Sequence, residues 1–370
     1  MKLLFSAIFL LIFLQSHSQY KFELNGTVPA SLNNKELIFA IWDQYSLNKF
    51  KKQDTILIRQ NSFSINGFLN KPSEQAYLLL TDGRSSYFFV VDSGRNDMII
   101  HTLPPESVTK RNKLSDAEVV DSKSNFLQKK IDYLGYENYL EKQKKSNSSD
   151  SMALQLSRLL KLKELNLLRQ FPDTYYSLIH LYGLSYSVIS LETEELLDVF
   201  NTLDDKIKDS PLGKELNQKL LSVQSSKIGK TIKPFTAITP TGLAFSNTYL
   251  KDTVYLLAFG ATWCKPCREN LPELKHIYDK FKGKKFQFVF VNLDGNEKAW
   301  KNEIIQYRLK WINVTDEKKW DESAIVKDFG ISAIPLYLII DKSQKIVYNS
   351  IRSRNFEPEQ MEAIISQLLK

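Results

Sequence analysis

The chain has 370 residues, of which 43% are hydrophobic and 25% are charged, and it contains only two cysteines. This composition is that of a globular protein, and the length suggests two or three domains. The net charge of +8 comes from lysines spread along the chain. A basic face with interleaved aromatic residues is missing, which argues against nucleic acid as a partner.

The N-terminus has the pattern of a secretory signal peptide. Lys2 precedes an apolar run, residues 3–14, and the small polar segment 16–18 follows. A basic start, about a dozen apolar residues and small residues before a break are typical of an export signal. The run is shorter than the roughly 20 apolar residues that a transmembrane helix needs. We therefore expect a signal peptide over residues 1–18, cleavage after Ser18, no transmembrane span afterwards, and a soluble periplasmic protein.

Residues 19–105 have the pattern of a small all-β domain. About seven short segments alternate apolar and polar residues or are rich in β-branched and aromatic residues. Turn signals such as Asn25-Gly26 and Asp82-Gly83 separate the segments, and Pro104-Pro105 ends the region. Short strands with hairpin turns predict a β-sandwich or barrel.

Residues 106–226 have a helical period instead. Leucines crowd residues 154–168, and residues 192–203 form another amphipathic stretch. The polar segment 146–150 interrupts the helices. The sequence predicts a helical connector whose leucines are contacts between helices.

Strands and helices alternate over residues 227–370. The apolar segment 253–261 predicts a buried strand that leads into the two cysteines, and a helix is predicted over residues 267–283. A second apolar strand follows at residues 285–294, and a hairpin at 335–350. This order predicts an α/β domain with a sheet covered on both faces.

Both cysteines lie in one C-x-x-C motif. Cys264 stands where the predicted strand ends and a helix begins. Backbone N–H groups at a helix start stabilise a thiolate, and the C-x-x-C setting lowers the thiol pKa. Lys265 adds a cation beside the sulfur, and Pro266 suits the first helical turn. The spacing predicts thiol–disulfide exchange, in which Cys264 attacks and Cys267 resolves the mixed disulfide.

A C-x-x-C pair has three other known uses. A zinc site needs about four ligands. Apart from the cysteines, the chain offers His17, His101, His180 and His276. Haem attachment needs a histidine where Arg268 stands. A structural disulfide is the remaining alternative, but it closes too short a loop to stabilise much. We expect no metal and no cofactor beyond the Cys264–Cys267 disulfide.

Three motifs together resemble those of the thioredoxin fold. They are Trp263 to Cys267, the Leu271-Pro272 pair and the later Ile334-Pro335. More narrowly, residues 228–370 resemble the TlpA/ResA-like family of extracytoplasmic thiol–disulfide oxidoreductases. The resemblance implies a cis peptide bond before Pro335 and a substrate-binding ledge formed by Ile334 and Pro335. It also implies that Trp263 supports the cysteines and that residues 296–320 are the family's insertion.

Two acidic residues of such proteins are missing here. Ala258 stands where thioredoxins have a buried aspartate, and Asn270 stands where some relatives have an acid three residues after the second cysteine. Glu269 is a candidate substitute in proton transfer, with a plain surface carboxylate as the alternative. Leu336 replaces the common threonine after Pro335. The proton path for Cys267 is therefore left open.

The predicted function is that of an exported thiol–disulfide oxidoreductase which reduces disulfides of extracytoplasmic client proteins. In an oxidising space such a reductant needs electrons from a membrane donor. The alternative is a binding protein in which residues 19–105 hold an envelope ligand or protein and the redox module is accessory. Residues 19–105 loosely resemble a β-rich domain that often precedes thioredoxin modules, which implies an architecture but no role.

Overall fold

The computed structural model describes residues 20–42, 50–80, 86–101, 117–144, 150–186, 191–350 and 356–370. The predicted signal peptide, the turn at 82–83 and Pro104-Pro105 lie outside the described residues. The chain divides into two compact units. The first comprises Met1–Tyr133 with Thr174–Tyr176, and the second comprises Leu134–Asp173 with Ser177–Lys370.

The first unit is a sandwich of two four-stranded sheets. Its strands are β1 (Tyr20–Thr27), β2 (Glu36–Trp42), β3 (Phe50–Leu57), β4 (Ser62–Leu69), β5 (Ser73–Leu80), β6 (Ser86–Asp92), β7 (Gly94–Ile100) and β8 (Ala117–Val120). The sheet orders are β4-β1-β7-β8 and β3-β2-β5-β6. Alternate side chains of both sheets, such as Leu24 and Phe39, point into one shared hydrophobic core. The prediction of an all-β N-terminal region is confirmed.

The last strand of this sandwich comes from beyond residue 105, where the sequence analysis ended the β-rich region. Strand β8 pairs antiparallel with β7, with Ile100 opposite Ala117. The pairing covers an edge of β7 that would otherwise expose unpaired backbone groups. A strand of four residues carries too little alternation to be recognised from sequence.

Six helices follow in the described part of this region, and the period of the sequence predicts a helical segment here. They are α1 (Lys123–Lys144), α2 (Asp150–Leu168), α3 (Tyr175–Leu184), α4 (Thr193–Thr202), α5 (Asp205–Lys208) and α6 (Pro211–Ser225). On α2, Leu165 and Leu168 are buried as expected, but Leu159 is exposed. No helix in the described part of the chain is both long and apolar enough to cross a bilayer.

A seven-stranded sheet forms the centre of the second unit. Its strands are β9 (Thr236–Ile238), β10 (Ala244–Ser246), β11 (Val254–Gly260), β12 (Phe286–Asn292), β13 (Ile312–Thr315), β14 (Leu336–Ile340) and β15 (Ile346–Asn349). The order is β10-β9-β13-β12-β11-β14-β15. Strands β11, β12 and β13 are parallel, whereas the remaining pairs are antiparallel.

Helices cover both faces of this sheet, which confirms the predicted α/β architecture. They are α7 (Lys265–Glu269), α8 (Leu271–Phe281), α9 (Glu297–Tyr307), α10 (Ala324–Phe329) and α11 (Pro358–Leu368). All seven residues of β11 are buried. Leu256 and Ala258 face the layer that contains α8 and α11, while Leu257 and Phe259 face α10. The central strand is thus anchored on both sides and ends at the cysteines.

The single helix predicted over residues 267–283 is two helices. The break falls at Asn270, because Pro272 lies in the first turn of α8 and has no N–H to continue the helical hydrogen bonds. Helix α8 ends at Phe281, and Gly283 follows with a φ of 81°. The short helix α7 therefore carries Cys267 as a separate element.

Helix α10 ends where it packs against α6. Gly330 adopts the left-handed conformation at its C-cap, as the predicted helix stop requires. A Cβ at this position would lie 2.7 Å from the backbone nitrogen of Val223 on α6. The Ser226 hydroxyl donates to the Phe329 carbonyl oxygen at 3.2 Å. The end of the helical segment is thereby fastened to the α/β sheet layer.

Candidate active site

The two cysteines form a disulfide at the carboxyl end of β11. Their Cα atoms are 5.3 Å apart. Cys264 is the N-cap residue of α7, and its Sγ accepts the backbone N–H of Cys267 at 3.2 Å. Both side chains are buried, with 4% of Cys264 and 3% of Cys267 exposed. After reduction, the same N–H would stabilise a thiolate on Cys264.

The Ile334–Pro335 loop packs against the disulfide. Ile334 contacts the buried cluster formed by Ala261, Cys264 and Cys267. The Ile334–Pro335 peptide bond is cis, as the resemblance implies. Within the described part of the chain, the main chain of Ile334 makes no hydrogen bond. Its N–H and C=O are therefore available to an extended chain, and the ledge role stays a prediction.

The supporting residues of the motif lie on the solvent side. Trp263 is 60% exposed, and its ring meets that of Trp320 edge to face at 6.1 Å between centroids. Pro266 lies in the first turn of α7, where its missing N–H has no cost. The Lys265 ammonium lies 3.6 Å from a Glu269 carboxylate oxygen, and both side chains are largely exposed. The position of Glu269 is that of a surface carboxylate.

Neutral groups occupy both positions where related proteins carry an acid. Ala258 is fully buried and pairs in register with Tyr337 on β14. The Asn270 amide donates to the Tyr337 hydroxyl at 3.0 Å. Burial raises the pKa of Tyr337 to about 12, so that the phenol stays protonated at neutral pH. Neither position supplies a base for Cys267.

A buried aspartate, which the sequence analysis did not identify, holds the loop before Cys264. Asp294 accepts the backbone N–H of Thr262 at 3.3 Å, and it also accepts the Thr262 hydroxyl. The Asn292 side-chain oxygen in turn accepts the Asp294 N–H at 2.9 Å. Because Asn292 pairs in register with Gly260, these groups meet at the carboxyl ends of two parallel strands. An acid at the end of the predicted strand 285–294 was the available signal.

Glu303 is a second buried acid that the sequence analysis missed. It lies on α9, within the predicted insertion, and is 8% exposed. Burial raises the pKa of Glu303 above its ordinary value, Arg268 partly offsets the rise, and Asp294 adds to it. A single acid in a polar helix resembles a surface residue in sequence, so nothing local distinguished it. Among the described residues, no group of three or more His, Cys, Asp or Glu is placed to hold a metal ion.

Comparisons with known proteins agree on the C-terminal region. Residues 252–346 match a family model described as thioredoxin-like. The thiol-disulfide oxidoreductase ResA of Bacillus thuringiensis (strain Al Hakam) is 28% identical over 145 residues, which are 39% of this chain and 80% of the relative. Nucleoredoxin of Bos taurus is 30% identical over 110 residues, 29% of this chain and 24% of the relative. A solved thiol-disulfide oxidoreductase from Bacteroides fragilis NCTC 9343 is 25% identical, with a TM-score of 0.35, and the match covers 38% of this chain and 100% of that one.

The family model, the sequence relatives and the α/β architecture with its C-x-x-C motif all concern the same part of the chain. Residues 252–346 are a thioredoxin-like domain, and the C-terminal region that contains them is similar to thiol–disulfide oxidoreductases of the ResA type.

Proposed function

We propose that the chain is an exported protein that reduces disulfides of extracytoplasmic client proteins through Cys264 and Cys267. One observation carries the proposal: the Cys264 sulfur caps α7 and accepts the Cys267 N–H at 3.2 Å. This contact favours a thiolate on Cys264, and the thiolate is the attacking form in disulfide exchange. Cys267 is 3% exposed, and its sulfur lies 3.4 Å from the position that a Cβ on Gly260 would occupy.

The exchange proceeds in two displacements. In the reduced protein, the Cys264 thiolate attacks one sulfur of the client disulfide, and the other client sulfur leaves as a thiolate. Cys267 then loses its proton and attacks Cys264, which forms the Cys264–Cys267 bond and releases the second client sulfur. Two electrons pass to the client, and the protein ends in the disulfide form. Among the described residues, none forms a backbone hydrogen bond with the main chain of Ile334, which supports the binding of the client in an extended conformation.

Export and a membrane electron donor complete the proposal. The basic and apolar pattern of residues 1–18 supports secretion. Outside the cytoplasm no thiol pool regenerates the dithiol, so a dithiol donor in the membrane must reduce the disulfide after each turnover.

The direction of electron flow is tested by the reduction potential. The purified chain is equilibrated with graded ratios of reduced and oxidised dithiothreitol or glutathione, and the fraction of dithiol is measured by thiol alkylation. A potential of about −270 mV, the region of thioredoxin, supports a reductant. A potential of about −120 mV, the region of strong oxidants, would identify a disulfide donor and contradict the proposed direction.

Trp320 is expected to contribute to the binding of protein clients. Its ring contacts the exposed ring of Trp263, the residue before Cys264, and aromatic pairs of this kind are worth about 0.5–1.5 kcal/mol. Trp320→Ala should therefore raise the KM for a client protein that carries a disulfide by roughly twofold to tenfold. The rate with a small aromatic disulfide should change much less.

Steady-state kinetics with insulin and with a small disulfide give the comparison. Ile305→Ala is the matched control, because Ile305 is a large apolar side chain that is 74% exposed on α9. An equal loss of rate with both substrates would contradict a role of Trp320 in client binding.

A further inference from the structure

We propose that Asp294 is a positioning residue for Cys264, because it holds the turn that places the attacking sulfur at the start of α7. The proposal rests on the dithiol exchange proposed above and adds a group on which the first displacement depends. A nucleophile that is held in place reacts faster than a mobile one. The Cys264 sulfur must also stay within reach of the Cys267 N–H, which it accepts at 3.2 Å.

Only four residues connect β11 to α7, and they form a tight turn. The Cys264 N–H donates to the Ala261 carbonyl oxygen at 3.0 Å, so that Thr262 and Trp263 are the central residues of the turn. Trp263 is 60% exposed. A turn that is closed by one backbone hydrogen bond is costly to order. Its position therefore depends on the groups that bind its central residues.

Asp294 binds Thr262 twice. One carboxylate oxygen, Oδ2, accepts the backbone N–H of Thr262 at 3.3 Å and also accepts the Thr262 hydroxyl. Hydrogen bonds to a carboxylate are stronger than those between neutral groups. Asp294 is 7% exposed, so water competes little for these contacts. The turn before Cys264 is thus fastened to the loop that follows β12.

The Asp294 carboxylate is itself held in place. Its other oxygen accepts the Asn296 N–H at 3.1 Å, and the Asn292 side-chain oxygen accepts the Asp294 N–H at 2.9 Å. The Leu293 N–H donates to the Gly260 carbonyl oxygen at 2.8 Å, which fastens the loop after β12 to the end of β11. Asp294 therefore provides a rigid anchor at the end of the sheet.

This anchor matters most in the reduced protein. In the disulfide form, the bond between the two sulfurs links Cys264 to Cys267 on α7. Reduction removes this link, and the dithiol is the form that attacks a client. The contacts of Thr262 then keep the Cys264 sulfur beside the Cys267 N–H, where the thiolate is stabilised. Asp294 acts through Thr262 and takes no part in the making or breaking of bonds.

Loss of the contact should slow the first displacement and change its pH profile. When the turn is correctly placed only part of the time, the rate falls in proportion to that fraction. The thiolate also loses its N–H partner, so the midpoint of the profile moves to higher pH. A hydrogen bond to a charged group shifts such an equilibrium by roughly tenfold or more.

The first displacement is measured by stopped-flow mixing of reduced full-length protein with dithiobis(nitrobenzoate). Attack by Cys264 releases one thionitrobenzoate, and resolution by Cys267 releases a second. Asp294→Ala should slow the first release by roughly tenfold below the midpoint and raise the midpoint by about one pH unit. Thr262→Val removes only the hydroxyl contact and should slow this release by roughly threefold to tenfold. Thr262→Ser keeps the hydroxyl and should react like the wild type.

Asp341→Ala is the matched control. Asp341 accepts the N–H groups of Ser343 and Lys345, each at 2.8 Å, so this variant also loses an aspartate that holds a turn. Asp341 follows β14, whose last residue, Ile340, pairs with Tyr255 near the start of β11. It therefore lies at the end of the sheet away from the cysteines. Asp341→Ala should keep the rate and the midpoint of the first release even where it lowers stability.

The outcomes distinguish positioning from a general loss of stability. The inference is overturned when Asp294→Ala has the same rate and midpoint of first release as Asp341→Ala. The combined Asp294→Ala and Thr262→Val variant should be no slower than Asp294→Ala, since both changes remove the same contact. A slowing equal to the product of the two single effects contradicts the inference. Should Asp294→Ala not fold, equal rates of Thr262→Val and Thr262→Ser overturn it. Absence of any release by the wild type would instead refute the proposed function.

Discussion

Replacing Cys264 by serine is expected to reduce the rate of insulin disulfide reduction by roughly a thousandfold or more. Cys264 is the residue whose sulfur receives the Cys267 N–H, and a serine hydroxyl does not attack a disulfide at neutral pH. The variant should fold, because serine is a favourable N-cap residue at the start of α7. Turnover with dithiothreitol as reductant gives the measurement.

Cys267→Ser is the matched variant, with a different expected outcome. The first displacement should proceed, but the mixed disulfide between Cys264 and the client should accumulate because no thiol resolves it. The adduct is detected on a non-reducing gel and disappears on reduction. Full activity of Cys264→Ser, or an adduct formed by Cys264→Ser in place of Cys267→Ser, would contradict the assigned roles.

Phe329→Ala is expected to lower the free energy of unfolding of the second unit by about 3–5 kcal/mol. The Phe329 ring is 1% exposed. Its centroid lies 5.3 Å from that of Phe259 on β11 and 5.7 Å from that of Phe235. Removal of the ring leaves a cavity against the strand that carries the cysteines. A loss of this size is a large fraction of the usual 5–15 kcal/mol of domain stability.

Urea denaturation followed by tryptophan fluorescence measures this loss. Ile305→Ala provides the comparison, because its side chain is 74% exposed and surface substitutions usually change stability by less than about 0.5 kcal/mol. A loss below about 1 kcal/mol for Phe329→Ala would show that the layer beneath α10 rearranges to fill the space.

Local sequence patterns predicted the elements around the disulfide. The apolar segment 253–261 contains β11, and the motif lies at the strand–helix junction as expected. These features depend on residues that are close in sequence, and their apolar period is strong. The N-terminal sandwich was predicted for the same reason, since alternation and turn residues recur at short intervals.

The predicted elements differed from the observed ones where the local sequence pattern was short or was divided between two elements. Strand β8 has only four residues, and residues 101–116 separate it from β7 in the sequence. Most of these intervening residues lie outside the described part of the chain. The expected single helix is broken at Asn270, because the effect of Pro272 outweighs the continuous amphipathic pattern. In both cases the position of the chain depends on hydrogen bonds that the apolar period does not reveal.

The sequence by itself predicted the two-cysteine chemistry, and it determined the α/β and all-β fold classes and the junction at which Cys264 caps a helix. Only the tertiary structure showed that Asp294 holds Thr262 and that Glu303 is buried. Asp294 follows Cys264 by 30 positions, and the parallel pairing of β11 with β12 brings it to the end of the sheet at which the cysteines lie. The physical reason is that strand and helix signals are local, whereas the burial of a carboxylate depends on which distant elements pack around it.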